Sequence, residues 1–213
     1  MPVRIVVISD THLRHRELRL PKGDLLIHCG DLFTLQSRDR SLVTDLDDWF
    51  GAQDFDQIVC IGGNHDHILQ DIAHREPQPF ANAHYLQDTT FRYAGLNIHG
   101  SPWVPDLPYH AYDRDGAELA NTWARIPDNS DILITHVPPA GRLDQSSQGH
   151  SHGCPLLAAE LPRIAPKVHC FGHVHASGGS ETEDGTVFIN ACSIDGWGAP
   201  LRQPISIPLE AGS

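Results

Sequence analysis

Short apolar runs punctuate this chain, and most of them stop abruptly on histidine, aspartate or asparagine. Val3–Ile8, Asp24–His28, Gln57–Ile61, Asp131–Ile134 and Val168–Phe171 have the length and β-branched content of buried strands. Between them, Leu42, Val43, Leu46, Trp49 and Phe50 recur at helical spacing after Ser41 and before Gly51, which predicts a helix over 41–50. Further helices are expected over 66–74, closed by Glu76-Pro77 and Gln78-Pro79, over 117–125 and over 154–163. Thr89–Tyr93, Ala94-Gly95 and Leu96–His99 read as a hairpin, and Val187–Asn190 and Ile205–Pro208 as late strands. Helices falling between apolar strands predict a sheet with a parallel core and hairpins at its edges. Parallel strands present their carboxyl ends on one side, where open α/β proteins place their sites. Asp10 and His12, Asp31, Asn64-His65-Asp66, His136, and His173 and His175 would all converge there.

Composition narrows the partners. At 213 residues with 40% hydrophobic and 20% charged positions, the chain suits one globular domain across 1–213. A formal charge of −12 disfavours long nucleic acid and leaves a small phosphorylated substrate, with metal ions supplying positive charge locally. No window reaches the length of a membrane span and Val3–Ile8 is too short for a signal-peptide core, so no membrane partner and a cytoplasmic location are expected. Five scattered cysteines without a C-x-x-C pair argue against a disulfide framework or a zinc-finger module. Cys29, Cys60 and Cys170 lie inside apolar runs as small core residues. Histidine is the excess: fifteen copies, several closing apolar runs.

Taken singly the strand-end groups are ordinary: Asp-x-His is expected about once by chance in a chain this rich in both residues, and Gly-Asp is commonly a turn. Their force lies in their order, each directly after a buried strand. An oxygen- and nitrogen-rich set without thiolate suits Mn2+, Fe, Zn2+ or Ni2+ better than Mg2+. There are too many donors for one ion. Two ions about 3.5–4 Å apart, sharing a carboxylate and a water, would form a clamp for in-line displacement at phosphorus.

Asp10-x-His12, Gly30-Asp31, Gly63-Asn64-His65-Asp66, His136 and Gly172-His173-x-His175 resemble the five motif blocks of the calcineurin-like metallophosphoesterase superfamily. His99–Trp103, Thr135–Pro139, Gly153-Cys154 and 167–190 resemble, more narrowly, the metallophosphoesterase-domain (MPPED, 239AB) group of class III phosphodiesterases. The resemblance implies a four-layer αββα sandwich of two mixed sheets flanked by helices. It also implies a dinuclear site of two divalent or trivalent ions, Mn2+ or Fe first and Zn2+ or Ni2+ next. Matched by position, one ion takes Asp10, His12, Asp31 and His175; the other takes Asp31, Asn64, His136 and His173. His65 would be the general acid, with Asp66 holding its imidazole. The expected activity is hydrolysis of phosphodiesters, cyclic nucleotides among them, with a phosphomonoesterase or a non-catalytic metal-binding scaffold as rivals. Two departures stand out. Asp66 replaces a more frequent Glu, and Leu32-Phe33-Thr34 and Ile61-Gly62 stand where protein phosphatases of the superfamily carry arginines, which argues against a protein phosphatase.

Other residues receive weaker readings. His28 and His169 lie within buried runs and read as core or supporting groups. His99 could border the cleft, and His150 and His152 could reach a substrate phosphate. Trp103, Tyr109 and Tyr112 either stack on a base or fasten loop 100–116; Asn190 is expected to bond backbone. Loops 100–116 and 140–153 should set substrate choice.

Overall fold

The computed structural model describes residues 2–195 and 199–210. In chain order the elements are β1 (Val3–Ile8), β2 (Leu25–His28), α1 (Ser41–Gly51), β3 (Gln57–Cys60), α2 (His67–Ala73), β4 (His84–Tyr85), β5 (Thr89–Tyr93), β6 (Leu96–Ser101), α3 (Gly116–Trp123), β7 (Ile132–Thr135), α4 (Pro155–Ile164), β8 (Val168–Phe171), β9 (Gly179–Glu183), β10 (Thr186–Asn190) and β11 (Ile205–Leu209). They form two mixed sheets, ordered β11-β1-β2-β3-β4 and β5-β6-β7-β8-β10-β9. The inner strands run parallel, and the antiparallel pairings are those of the edge strands β11, β5 and β9.

Alternation along the strands separates the layers. Ile5, Val7, Ile27 and Val59 of the first sheet meet Ile98, Ile132, Ile134, Cys170 and Ile189 of the second in one buried cluster. The intervening residues Val6, Ile8, Leu26, Ile58 and Cys60 face the other way, onto Leu46, Trp49, Phe50, Ile68 and Leu69 of α1 and α2. On the second sheet, Leu133 packs with Leu119 and Trp123 of α3 and Leu157 and Ile164 of α4. The period of two thus places helices outside and the sheets face to face, giving the expected αββα sandwich. Register then aligns the strand ends: Ile8 lies beside His28 and His28 beside Cys60, while Ile134 lies beside Cys170. Every ligand-type residue named above follows such an end.

Two strands carry no apolar signal. β4 has only two residues, and β9 is the polar edge sequence Gly179–Glu183. The latter had a readable cue: Asp184 and Gly185 both take positive φ, 50° and 83°, as a two-residue hairpin turn requires. All five thiols are free and buried, Cys154 and Cys192 included. Among the described residues no helix is long and apolar enough to cross a membrane.

The two sheets repeat one device. His28 on β2 and His169 on β8 are fully buried, and their Nε2 atoms lie 2.9 Å from the hydroxyls of Thr11 and Thr135 respectively. They are supporting groups within the sheets, as their position in apolar runs suggested. Burial depresses each imidazole to about 3. In the unfolded chain each titrates near 6.5. Between those values the unfolded state binds the extra proton, so these groups withdraw stability as pH falls through about 6.5 and go on doing so until about 3. Replacing both by glutamine removes that component. The difference in urea-unfolding stability between wild type and the double variant is therefore expected to shift against wild type by about 1–3 kcal/mol per pH unit between pH 6 and 4.5. A pH-independent difference would contradict the assignment.

Candidate metal centre

The strand ends turn sharply into the cleft. Asp10, His12, Asp31 and His173 all adopt positive φ, 52°, 44°, 54° and 67°. Four non-glycine residues in that region mark a backbone held by its surroundings. The holding bonds are visible: Asp10 N–H donates to Gly30 O at 2.9 Å and His12 N–H to Asp31 O at 3.1 Å. Two glycines leave room for carboxylates. A Cβ on Gly63 would collide with Asp31 Oδ1, and one on Gly172 with Asp10 Oδ2.

Around Asp31 the side chains fall into two halves. On one side lie Asp10, His12 and His175, with His175 Nε2 3.2 Å from Asp10 Oδ1 and His12 Nε2 3.8 Å from Asp31 Oδ2. On the other, Asn64 Oδ1 accepts from His136 Nε2 and His173 Nδ1, both at 2.9 Å, and His136 Nε2 is 3.5 Å from Asp31 Oδ1. Asp31 therefore offers one oxygen to each half. Potential ligand atoms of Asp10, His12 and His175 lie within 4.8 Å of one another, as do those of Asp10, Asp31 and His136. A third such set joins His12, Asp31 and His65. All seven residues expected as ligands are brought together.

The surrounding bonds orient these groups. His12 Nδ1 donates to Phe33 O at 3.0 Å and His136 Nδ1 to Cys29 O at 2.9 Å, which aims both Nε2 atoms inward. Asp10 Oδ2 accepts from Cys192 Sγ and from His173 N–H, each at 3.1 Å. Asn190 Nδ2 clips Leu143 O and Val174 O at 3.0 Å, the backbone role expected of it.

Charge is the reason this cluster fits metal. Asp10 and Asp31 are both almost wholly buried, side by side. Burial would raise the Asp31 carboxyl, but the charge and hydrogen bond of His136, with the charge of His65, together hold it at about 2. Burial likewise lowers His136, and Asp31, Asp10 and the Cys29 carbonyl together lift it to about 9. His173, buried and next to His136, falls to about 3. The Asp31 and Asp10 carboxylates thus favour a proton on His136. A divalent cation would displace that proton and satisfy the same oxygen and nitrogen donors. The donor set fits a hard-to-borderline ion.

One expectation fails. Asp66 does not hold the imidazole of His65: its oxygens accept from the backbone N–H groups of Phe33 at 2.8 Å, Gly63 at 2.9 Å and Leu32 at 3.2 Å. The buried Nδ1 of His65 has no hydrogen-bond partner among the described residues. Asp66 sits at the N-terminal boundary of α2, and its short arm points under the turn, not along it. It ties the segment after Asp31 to the turn before Asn64. Burial, then the Asp31 charge, push its carboxyl upward against the pull of those donors.

The flanking loops divide similarly. Trp103 and Tyr112 are buried fasteners: Trp103 Nε1 donates to Asp88 under the Arg114 guanidinium, and Tyr112 Oη lies 2.7 Å from Tyr85 Oη. Tyr109 is 96% exposed. His99 is bonded to Thr90 Oγ1 at 3.0 Å, and His150 is solvent-exposed. His152 lines surface depressions that also include His173. Sequence reasoning missed His110, whose ring lies 6.3 Å from that of His65, and Cys192 beside Asp10. Neither carries a local signal: His110 arrives because Ala111 N–H bonds Asn64 O across the loop, and Cys192 because β10 ends beside β1.

The fold and the site together define a metallophosphoesterase. A family model described as calcineurin-like phosphoesterase matches residues 3–177, and the chain belongs to that family. More narrowly, it is similar to metallophosphoesterase domain-containing protein 1 of Homo sapiens, 33% identical over 234 residues that cover 97% of this chain and 71% of the relative. It is also 33% identical to UPF0046 protein C25E10.12 of Caenorhabditis elegans, covering 99% of this chain and 83% of that one. Among solved structures, TT1561 of Thermus thermophilus superposes with a TM-score of 0.56 at 14% identity, covering 89% of each chain, a likeness of fold alone.

Proposed function

We propose that this chain is a dinuclear phosphodiesterase acting on small phosphodiesters, cyclic nucleotides among them. The observation that carries the reading is Asp31, poised with one oxygen toward each half of the donor cluster and His65 alongside. In this reading Asp10, His12, Asp31 and His175 hold one ion, and Asp31, Asn64, His136 and His173 the other, with Mn2+ or Fe preferred. The ions, when bound, supply Lewis-acid stabilisation of the phosphoryl oxygens and acidify water near neutral pH.

The chain's own groups do the rest. His65 Nε2 is 3.8 Å from Asp31 Oδ2, and its side chain is 18% exposed, so it reaches the solvent face of the cluster. It donates a proton to the departing ester oxygen. Burial lowers its proton affinity, making it a stronger acid, while Asp31 pulls the other way. Leu32 and Phe33 turn into the apolar layer under α1, leaving no cation at the position used by protein phosphatases. The depression flanking His173 and His175 is lined by no lysine or arginine among the described residues. That favours a diester monoanion over a monoester dianion, whose second charge would need a further cation.

One substrate panel tests both points. Metal-loaded protein is expected to turn over methyl p-nitrophenyl phosphate at least about tenfold faster, by kcat/KM, than p-nitrophenyl phosphate. His65→Gln should cost about 10²–10⁴ in kcat with an alkyl leaving group and far less with p-nitrophenolate, which needs no proton. Equal losses with both leaving groups would remove His65 as the acid, and preference for the monoester would overturn the diester assignment.

A further inference from the structure

The two halves of the metal centre are held by different parts of the chain. Residues 190–195 and 199–202 lie C-terminal to all seven expected ligands. Ser9 and Cys192 form a parallel bridge, Ser193 N–H donates to Ser9 O at 2.8 Å and Ala191 N–H to Phe171 O at 2.8 Å. This stretch thus joins the carboxyl ends of β1 and β8, and it ties down each segment that carries a ligand of the Asp10–His12–His175 half. Cys192 Sγ donates to Asp10 Oδ2 at 3.1 Å. Arg202 Nη1 donates to His175 O at 2.5 Å and to Ile194 O at 3.1 Å. Arg14, just past His12, donates from Nη1 to Ala199 O at 2.9 Å. Among the described residues no hydrogen bond joins this stretch to Asn64, His136 or His173. Asn64 O accepts instead from Ala111 N–H, and His136 Nδ1 donates to Cys29 O.

These bonds pre-set ligand geometry. With Oδ2 of Asp10 bonded to the Cys192 thiol, Oδ1 is the oxygen turned toward His175 Nε2, 3.2 Å away. A thiol is a weak donor, so it orients the carboxylate without draining its charge. His175 stands in a single short turn, His175–Ser177, and its carbonyl is fixed by the Arg202 guanidinium. Gly178 leaves room for that group, since a Cβ there would lie 2.7 Å from Nη1. The planar fork of Arg202 also pairs with Asp195 Oδ1 at 2.8 Å, which balances its charge beside a cation site. An ion must draw donors from three separate segments to about 2 Å, and segments already fixed spare it the ordering cost.

We propose that Cys192 and Arg202 are positioning residues for one half of the centre: they set the affinity of the Asp10–His12–His175 half for its ion and leave the other half unchanged. The inference rests on the dinuclear reading and makes its two sites unequal in what supports them. Neither residue touches the ion. Cys192 acts through the outer oxygen of Asp10, and Arg202 through the main chain of His175. Loosening either contact therefore frees one ion in preference to the other, and the C-terminal stretch becomes the part of the chain through which that site is tuned.

The test is calorimetric titration of the metal-free full chain with Mn2+, with thermal melting to check that each variant folds. Wild type should take up two ions. Arg202→Met should weaken one site by about tenfold or more and leave the other within about threefold. Cys192→Ala should do the same, whereas Cys192→Ser, which keeps a donor, should stay within about threefold of wild type at both sites. The cysteine pair decides the matter if Arg202→Met does not fold. Gln203→Ala, next to Arg202 but exposed, should change neither site. Two backgrounds locate the effect. In His173→Ala protein, Arg202→Met should still weaken the remaining site; in His175→Ala protein it should leave the remaining site alone. The proposal fails if Arg202→Met and Cys192→Ala weaken neither site or both equally, or if the loss persists in the His175→Ala background. Fewer than two ions on wild type would sink the dinuclear reading together with this inference. Two ions, the selective loss and no diester turnover would sink the phosphodiesterase reading alone.

Discussion

Replacing Asp31 by asparagine is expected to leave a folded protein with about one metal ion per chain or fewer and kcat/KM reduced by about a thousandfold or more. Asparagine has the same shape and keeps an oxygen to accept the His65 N–H, which lies 2.8 Å from Asp31 Oδ1. What it loses is charge. Asp31 is 1% exposed and is the group against which His12, His65 and His136 are arrayed within 3.8 Å. A carboxylate can serve two cations with its two oxygens; a carboxamide offers one oxygen and an NH2 that repels cations. The same substitution should let His136 fall from about 9, because its first upward pull is the Asp31 charge. Elemental analysis of the purified variant, beside its turnover, reads the effect. Unchanged metal content and unchanged turnover would refute the dinuclear assignment.

The second large effect belongs to Asp66, and it should appear in stability. Asp66→Ala strands three buried backbone N–H groups, those of Leu32, Phe33 and Gly63. Each unsatisfied donor costs about 1–3 kcal/mol, so a loss of about 3 kcal/mol or more is expected. For a chain of this size that corresponds to a fall of about 10 °C in Tm. Asp66→Glu keeps the acceptors but inserts a methylene into a fully buried space, at a cost of about 1–3 kcal/mol. A residue acting only through His65 would behave differently: Asp66→Ala would keep its Tm and lose activity selectively with poor leaving groups. Thermal unfolding of metal-free protein separates the two roles.

Asp66 also shows where linear reading stops. The order of Gly63, Asn64, His65 and Asp66 along the chain suggested a ligand, an acid and its orienter as neighbours in function. In space, the carboxylate turns beneath the strand end and bonds Leu32 and Phe33, 34 and 33 positions earlier in sequence. Which backbone donors lie within its reach is set by how β2 and β3 pair, and adjacency along the chain carries no such information. Tyr112 gives the same lesson. An aromatic in an irregular loop has no periodicity to report its side, and only packing against Gly62 and Tyr85 makes it a buried fastener.

What the sequence by itself determined was the layering and the contents of the site. Alternating apolar positions decide which face of each strand is buried, and a run of β-branched residues that ends on a ligand-type residue decides where the strand stops. Those are local properties, since the side-chain period of a strand is built into its backbone, and parallel pairing then forces Asp10, Asp31, Asn64, His136 and His173 to one edge. The tertiary structure alone decided the second ring of contacts: Cys192 against Asp10, His110 beside His65, Asp66 against Leu32 and Phe33, and the hollow between two loops. These depend on strand register, loop path and the crossing of two sheets. Each contact joins residues whose separation along the chain bears no relation to their separation in space.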